Sequence, residues 1–282
     1  MKNNLSVLVT GASTGIGKAC ALFLSRKGFS VFAGVRNSSD GNALMEETSG
    51  NISPLLLDVT DDNSINAAVN KISDSTGKKL FSLINNAGIA FGGPLEVLSL
   101  SDIRDLMEVN VIGVFAITKA LIPLLRNNGE GRIVNIGSMT SFFALPGFSV
   151  YSSSKHALKA ITDSLRVELL PFNIRVSIIE TGRVETPIWE KGLSLADKTL
   201  SEADDDIIEL YAPMLDYLQD YAKNPSGISP DKVARVVFRI LTTKKPKSQY
   251  LLGKDALILK LVSKFPDSMR GRMLLWSLPK KS

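Results

Sequence analysis

Leu5-Ser6-Val7-Leu8-Val9-Thr10-Gly11-Ala12-Ser13-Thr14-Gly15-Ile16-Gly17 is the stretch that decides the fold. Leu5–Thr10 is a short, mostly apolar run, the pattern of a strand buried on both faces. Three glycines follow at G-x3-G-x-G spacing, and Ile16–Lys27 then takes up a helical period. Glycines at such a junction permit positive φ and bring bare backbone close to a ligand. A helix that starts there aims its free N–H groups and positive dipole end at the same place, which suits a pyrophosphate. The spacing is not the general G-x-G-x-x-G fingerprint, and taken alone the stretch also reads as an ordinary glycine-rich turn.

The same alternation continues along the chain. Strands are expected at Ser30–Val35, Ile52–Leu57, Phe81–Asn85, Arg132–Ile136 and Arg175–Ile179. Helices are expected at Asn42–Thr48, Ser64–Thr76, Ser101–Arg126 and Tyr151–Leu170. Continuous Val/Ile/Leu strands interleaved with helices predict one doubly wound α/β domain with a parallel sheet. At 282 residues, 44% hydrophobic and 22% charged, the chain is long and apolar enough for a sizeable core, which excludes global disorder. With Cys20 and His156 the only residues of their kinds, disulfides, cysteine-based metal sites and Ser–His–Asp catalysis are not expected. No transmembrane helix or signal segment is expected, and a cytoplasmic location is.

Charge is unevenly placed. Residues 231–282 hold 13 Lys/Arg against 3 Asp, a net +10, which leaves −5 for residues 1–230. The rhythm breaks at 187–228, where Pro187, Trp189, Pro213, Pro225 and nine Asp/Glu accompany short helical patterns around Leu195–Leu210 and Met214–Tyr221. This segment reads as a lid at the carboxyl ends of the strands, or as a solvated insertion.

Four features carry chemistry. The second strand ends Val35-Arg36-Asn37 with no acid before Asp40; Arg36 there suits a 2′-phosphate, which favours NADP(H) over NAD(H), unless it is a solvated surface residue. Asp58-Val59 ends the third strand, placed either to meet an adenine amino group or to cap the next helix. Tyr151 and Lys155 share one helix face at i, i+4 spacing. An ammonium beside the phenol favours phenolate, so Tyr151 is read as an acid/base whose pKa is lowered. Ser138 follows the strand Arg132–Ile136 and can hydrogen-bond the same substrate oxygen, while Asn110, inside the long helix, can hold a water in a proton path.

Together these residues resemble the short-chain dehydrogenase/reductase family. The resemblance rests on Thr10–Gly17, Asp58, Asn85-Asn86-Ala87-Gly88, Asn110, Ser138, Tyr151 and Lys155, in family order over about residues 3–190. It implies a single Rossmann-type domain with about seven parallel strands. It also implies a catalytic tetrad: Tyr151 as acid/base, Lys155 on the nicotinamide ribose, Ser138 on the substrate and Asn110 on a relay water. The cofactor residues it implies are Gly11, Ser13, Thr14, Gly15, Ile16, Gly17, Arg36, Asp58, Val59, Asn86, Ala87, Gly88, Tyr151, Lys155, Gly182, Val184 and Thr186. Where the family usually has Pro-Gly, this chain has Glu180-Thr181-Gly182.

A narrower resemblance, through Val31–Arg36 and Leu251–Ala256, points to the branch with retinol and hydroxysteroid dehydrogenases. It implies a small lipophilic alcohol or ketone as substrate, so that with Arg36 the expected chemistry is NADP(H)-dependent carbonyl/alcohol interconversion; the family as a whole implies a homo-oligomer built on the helices over about 101–126 and 151–170. Met139, Phe142, Phe143, Leu145, Val184 and Trp189 are the pocket candidates, with core packing as the alternative. A non-catalytic NADP(H)-binding sensor or scaffold is the competing function. The domain is expected to span 1–254, and 255–282 to form a basic amphipathic extension. That extension either touches a membrane surface weakly or packs on the protein. Nucleic-acid binding is not expected.

Overall fold

The computed structural model describes residues 5–48, 51–192, 204–224 and 226–277. Its centre is a seven-stranded, wholly parallel sheet: β1 (Ser6–Val9), β2 (Ser30–Val35), β3 (Ile52–Leu56), β4 (Ser82–Asn85), β5 (Gly131–Ile136), β6 (Ile174–Thr181) and β7 (Gln249–Leu252). The spatial order is β3-β2-β1-β4-β5-β6-β7. The chain reverses its direction of travel between β1 and β4, and a crevice opens there at the carboxyl ends of the strands.

Both sheet faces are dry because successive strand residues are apolar. Val7 and Val9 face one cluster and Leu8 the other. The first cluster lies under α1 (Gly15–Arg26) and a helix over Pro230–Thr242; the second lies under α3 (Asp62–Thr76) and α5 (Gly113–Asn127). α2 (Ser38–Glu46) covers β3 at the edge. Asp61 caps α3 by accepting from the Asn63 and Ser64 amides, and Gly77, at φ +61, ends it.

The helix expected over Ser101–Arg126 is interrupted. α4 (Leu100–Met107) passes through a π-helical turn, Glu108–Ile112, into α5. Asn110 sits in that turn, and such wide turns place side chains that a regular helix would not. The Leu100–Asn127 run is long and apolar enough to cross a bilayer by length and composition. Ile117, Leu121 and Leu125 nevertheless pack it onto the sheet as a core helix. α6 (Ser149–Glu168) lies beside it. A buried ladder ties both helices to the sheet: Asn85 Nδ2 donates to Thr118 (3.1 Å) and Asn135 (2.8 Å), and Asn135 Nδ2 donates to Thr162 (2.8 Å).

In the lid, α7 (Asp205–Lys223) runs unbroken through Pro213, so the two short helical patterns expected around Leu195–Leu210 and Met214–Tyr221 are one helix where described. The rest of the first pattern lies outside the described residues. After α8 (Pro230–Thr242) and β7, two helices not separated by the sequence reading finish the described chain: α9 (Lys254–Val262) and α10 (Asp267–Ser277).

Candidate active site

The crevice is built from the glycine turn upward. Gly11 (φ +62) and Gly15 (φ +56) adopt the left-handed backbone that a side chain resists. A Cβ at Gly11 would stand 2.9 Å from Ala87 Cα, and one at Gly17 would collide with the Gly11 carbonyl and the Asn86 amide. Asn86 braces the turn by donating from Nδ2 to the Thr10 and Gly11 carbonyls, 3.0 Å each, and its own amide donates to Thr10 Oγ1. Thr14 precedes α1 without a side-chain capping bond, and the first turn holds no acid. The helix therefore keeps free N–H donors and an uncompensated dipole end, the arrangement that binds phosphate.

Ser13, Thr14, Gly15, Ile16, Arg36, Asp58, Val59 and Asn86–Gly88 all line one open cleft, so the sequence reading and the structure assemble the same wall. Arg36 is exposed at its end. Asp58 does not cap α3, the role Asp61 takes. Burial raises its pKa, but hydrogen bonds from Thr60 and the Arg36 charge outweigh that and hold the carboxyl below its ordinary value. A dinucleotide fits this donor set.

A second cavity continues from the first, lined by Ser138, Met139, Tyr151, Lys155, Gly182, Val184, Thr186, Trp189 and other side chains. Tyr151 and Ser138 are both buried and line this cavity together. Burial pushes the Tyr151 phenol up to about 12, against a smaller lowering from Ser138, so in the free protein the expected depression is reversed. Desolvation also pulls Lys155 down to about 8. Its Nζ donates to the Ile136 carbonyl at 3.1 Å and lies 5.7 Å from the Tyr151 ring centre. Asn110 is fully engaged: Oδ1 accepts from the Ile89 amide, and Nδ2 donates to the Ile89 carbonyl (2.9 Å each) and to Ser154 (3.1 Å). It fastens the β4 loop to α6, directly beneath the crevice.

Pocket expectations are met unevenly. Met139, Leu145, Val184 and Trp189 line the cavity; Phe143 does not, because it is swallowed by the apolar cluster behind the wall. Phe148 and Tyr221 take that place, packed edge-on to Trp189 at 5.5 and 5.1 Å. Tyr221 comes from α7, and no local signal in the sequence marks it. The Arg183 guanidinium stacks over the Tyr221 ring at 4.8 Å and donates to the Tyr221 and Ala222 carbonyls, clamping α7 to the end of β6. Where the family Pro is replaced by Thr181, Asp255 supports the turn instead: Oδ2 accepts from the Arg183 amide at 2.6 Å and Oδ1 from the Ala256 amide at 2.9 Å.

The chain belongs to the short chain dehydrogenase family, whose sequence pattern matches residues 5–194. It is similar to an NADPH-dependent 3-dehydrocapnine reductase of Ornithobacterium rhinotracheale, with 34% identity covering 97% of each chain. It is also similar to human retinol dehydrogenase 5, with 33% identity covering 99% of this chain and 90% of the relative. A short-chain dehydrogenase from Streptomyces avermitilis superposes with a TM-score of 0.79, at 28% identity over 98% and 97% of the two chains. The family and the retinol dehydrogenase relative make this chain an oxidoreductase of the carbonyl/alcohol kind that binds a nicotinamide cofactor.

Proposed function

We propose that the chain is an NADP(H)-dependent reductase/dehydrogenase for a lipophilic carbonyl/alcohol pair, with Tyr151 as the proton donor and acceptor. The observation that carries the cofactor preference is Arg36 on the cleft wall at the end of β2, a strand that ends with no acid before Asp40 to hold a 2′-hydroxyl. A relative named for NADPH supports it.

The bound nicotinamide supplies or accepts the hydride. The side chains here do the rest. Ser138 and Tyr151, on the wall of one cavity, offer two hydroxyls to one substrate oxygen. Tyr151 donates its proton to that oxygen in reduction and takes it back in oxidation. Lys155 stabilises the phenolate by its charge. Asn110 holds the Ile89 backbone in place beside them. The apolar wall of Met139, Leu145, Phe148, Trp189 and Tyr221 selects a lipophilic substrate. The cavity is small, about 80 Å³, and opens into the cofactor cleft. Exposed Ile112 and Phe115 at the start of α5 and Val167 on α6 support a homo-oligomer through those helices.

Paired fluorescence titrations with NADPH and NADH test the reading. Arg36→Ala should weaken NADPH on the order of tenfold, the effect of losing one partly exposed charge-assisted contact, and leave NADH unchanged. Equal affinity of the wild-type protein for both cofactors would make Arg36 a surface residue.

A further inference from the structure

The strongest feature left unused is the outer face of α9 and α10. Leu257, Ile258 and Leu261 are 58–63% exposed, and Phe265, just past the helix, is 42% exposed. Leu257, Ile258 and Leu261 share one side of α9 by their spacing. Met269 and Met273, also i, i+4, are exposed on α10. Exposed Lys254 and Lys264 bracket the first group, and exposed Arg272 adjoins the second. Of the two acids in these helices, Asp255 is committed to the Arg183 amide, and Asp267 pairs with Arg270. The opposite side of the same helices is not free. Ala256, Leu259, Val262 and Leu274 belong to the cluster that contains Tyr151, Trp189 and Tyr221. Lys260 lies 4.3 Å above the ring of Phe142, on the segment after Ser138.

Two kinds of occupant suit an apolar face of this size. A second copy docked about a two-fold axis would press residues 254–277, which hold five Lys/Arg against two Asp, onto their own duplicate, like charge on like. An anionic bilayer complements both parts: the apolar side chains enter the interface, and the lysines and arginine meet the phosphates. We propose that α9 and α10 dock the protein on an anionic membrane surface. The wall of the substrate cavity is the back of that docking surface, so the docked protein holds its pocket next to the lipid. The docking stands on the exposed face alone. Delivery of a membrane-dissolved substrate to the pocket additionally rests on the lipophilic reading above.

Co-sedimentation of the full chain with vesicles tests the docking without any turnover, so failure of the catalytic reading leaves the result interpretable. The protein should pellet with phosphatidylcholine vesicles containing about a third phosphatidylserine. It should stay in solution with phosphatidylcholine alone, and about 1 M salt, which shortens screening to ~3 Å, should release it. Leu261→Asp with Phe265→Asp should abolish pelleting. Lys254→Gln, Lys264→Gln and Arg272→Gln together should weaken it on the order of a hundredfold, from ~1 kcal/mol per surface cation. All of these side chains are exposed, so unchanged melting and unchanged NADPH binding confirm that the variants fold. Wild-type protein that stays in solution with the anionic vesicles overturns the proposal, as does equal pelleting of either variant. A fall in sedimenting mass for Leu261→Asp/Phe265→Asp with vesicle binding unaltered would hand the face to a second copy instead.

Discussion

Replacing Lys155 by methionine should stabilise the protein at neutral pH and flatten its response to alkali. Desolvation lowers the pKa of Lys155 from 10.5 to about 8. Below about pH 8 the lysine is charged in both the folded and the unfolded chain, and the fold bears the whole cost of burying an ammonium. Between about 8 and 10.5 the folded protein releases the proton while the unfolded chain keeps it, so stability rises with pH. Above that range both are neutral and the cost is gone. A depression of about 2.5 units at 1.36 kcal/mol each is about 3 kcal/mol. Methionine removes the charge but leaves the Ile136 carbonyl without its donor, which returns about 1 kcal/mol. The expected gain is therefore about 2 kcal/mol at pH 7, with activity lost. Cys20 and Tyr151 work against this in the wild type. Burial raises both to about 12, so their contributions fade as pH climbs through the alkaline range. They are common to both proteins and cancel in the difference. Urea unfolding of the pair at about pH 7, 8.5 and 10 reads it directly. A difference that stays constant across that range, or a methionine variant less stable at pH 7, refutes the reasoning.

Asp255→Ala removes a carboxylate acceptor from two backbone amides in a part-buried turn, so unfolding free energy should fall by about 2–3 kcal/mol, while Asp267→Ala, which breaks only an exposed pair, changes nothing measurable. Tyr151→Phe should retain NADPH binding and lose at least about 100-fold in kcat, from the range known for general acid–base catalysis; retention of turnover by the phenylalanine variant would move the proton elsewhere. Trp189→Ala opens the small cavity and removes edge contacts to Phe148, Tyr151 and Tyr221. It should lower KM for bulky ketones relative to small ones at a cost in stability of about 2 kcal/mol, checked by a substrate series and by thermal melting.

What could be read from the chain follows from the range of each interaction. The strands and the phosphate turn are local: Val7-Leu8-Val9 must be dry on both faces whatever surrounds them, and Gly11 and Gly15 need their φ angles for reasons contained in the turn. Tyr151 and Lys155 share a helix face by spacing alone. The π-helical turn at Asn110 was not legible, because it is one extra residue in a run that is apolar throughout, and only the demand for Asn110 to meet the Ile89 backbone selects it. Tyr221 and Asp255 were missed because partners of theirs lie 73 and 72 positions away in Phe148 and Arg183, and nothing near either residue marks the meeting. Phe143 was misplaced because a benzyl side chain beside a pocket looks the same in sequence whether it lines the wall or fills the cluster behind it.

The shifts at Tyr151 and Lys155 also constrain the pH dependence of the reaction. Burial raises the phenol and depresses the amine, so it opposes the phenolate–ammonium pair from both ends. The same burial strengthens their attraction. An ionised Lys155 therefore lowers the phenol from about 12, but its own value of about 8 leaves the amine neutral where the phenol ionises. Reaching neutrality requires another positive charge beside the phenol. Carbonyl reduction consumes the protonated phenol, which is fully populated at and below pH 8, so its rate should be flat from about pH 6 to 8. Alcohol oxidation consumes the phenolate and should accelerate as pH rises through the same range. Rate profiles in the two directions at saturating substrate distinguish the cases. A reduction rate that climbs with pH would assign the proton to a group other than Tyr151.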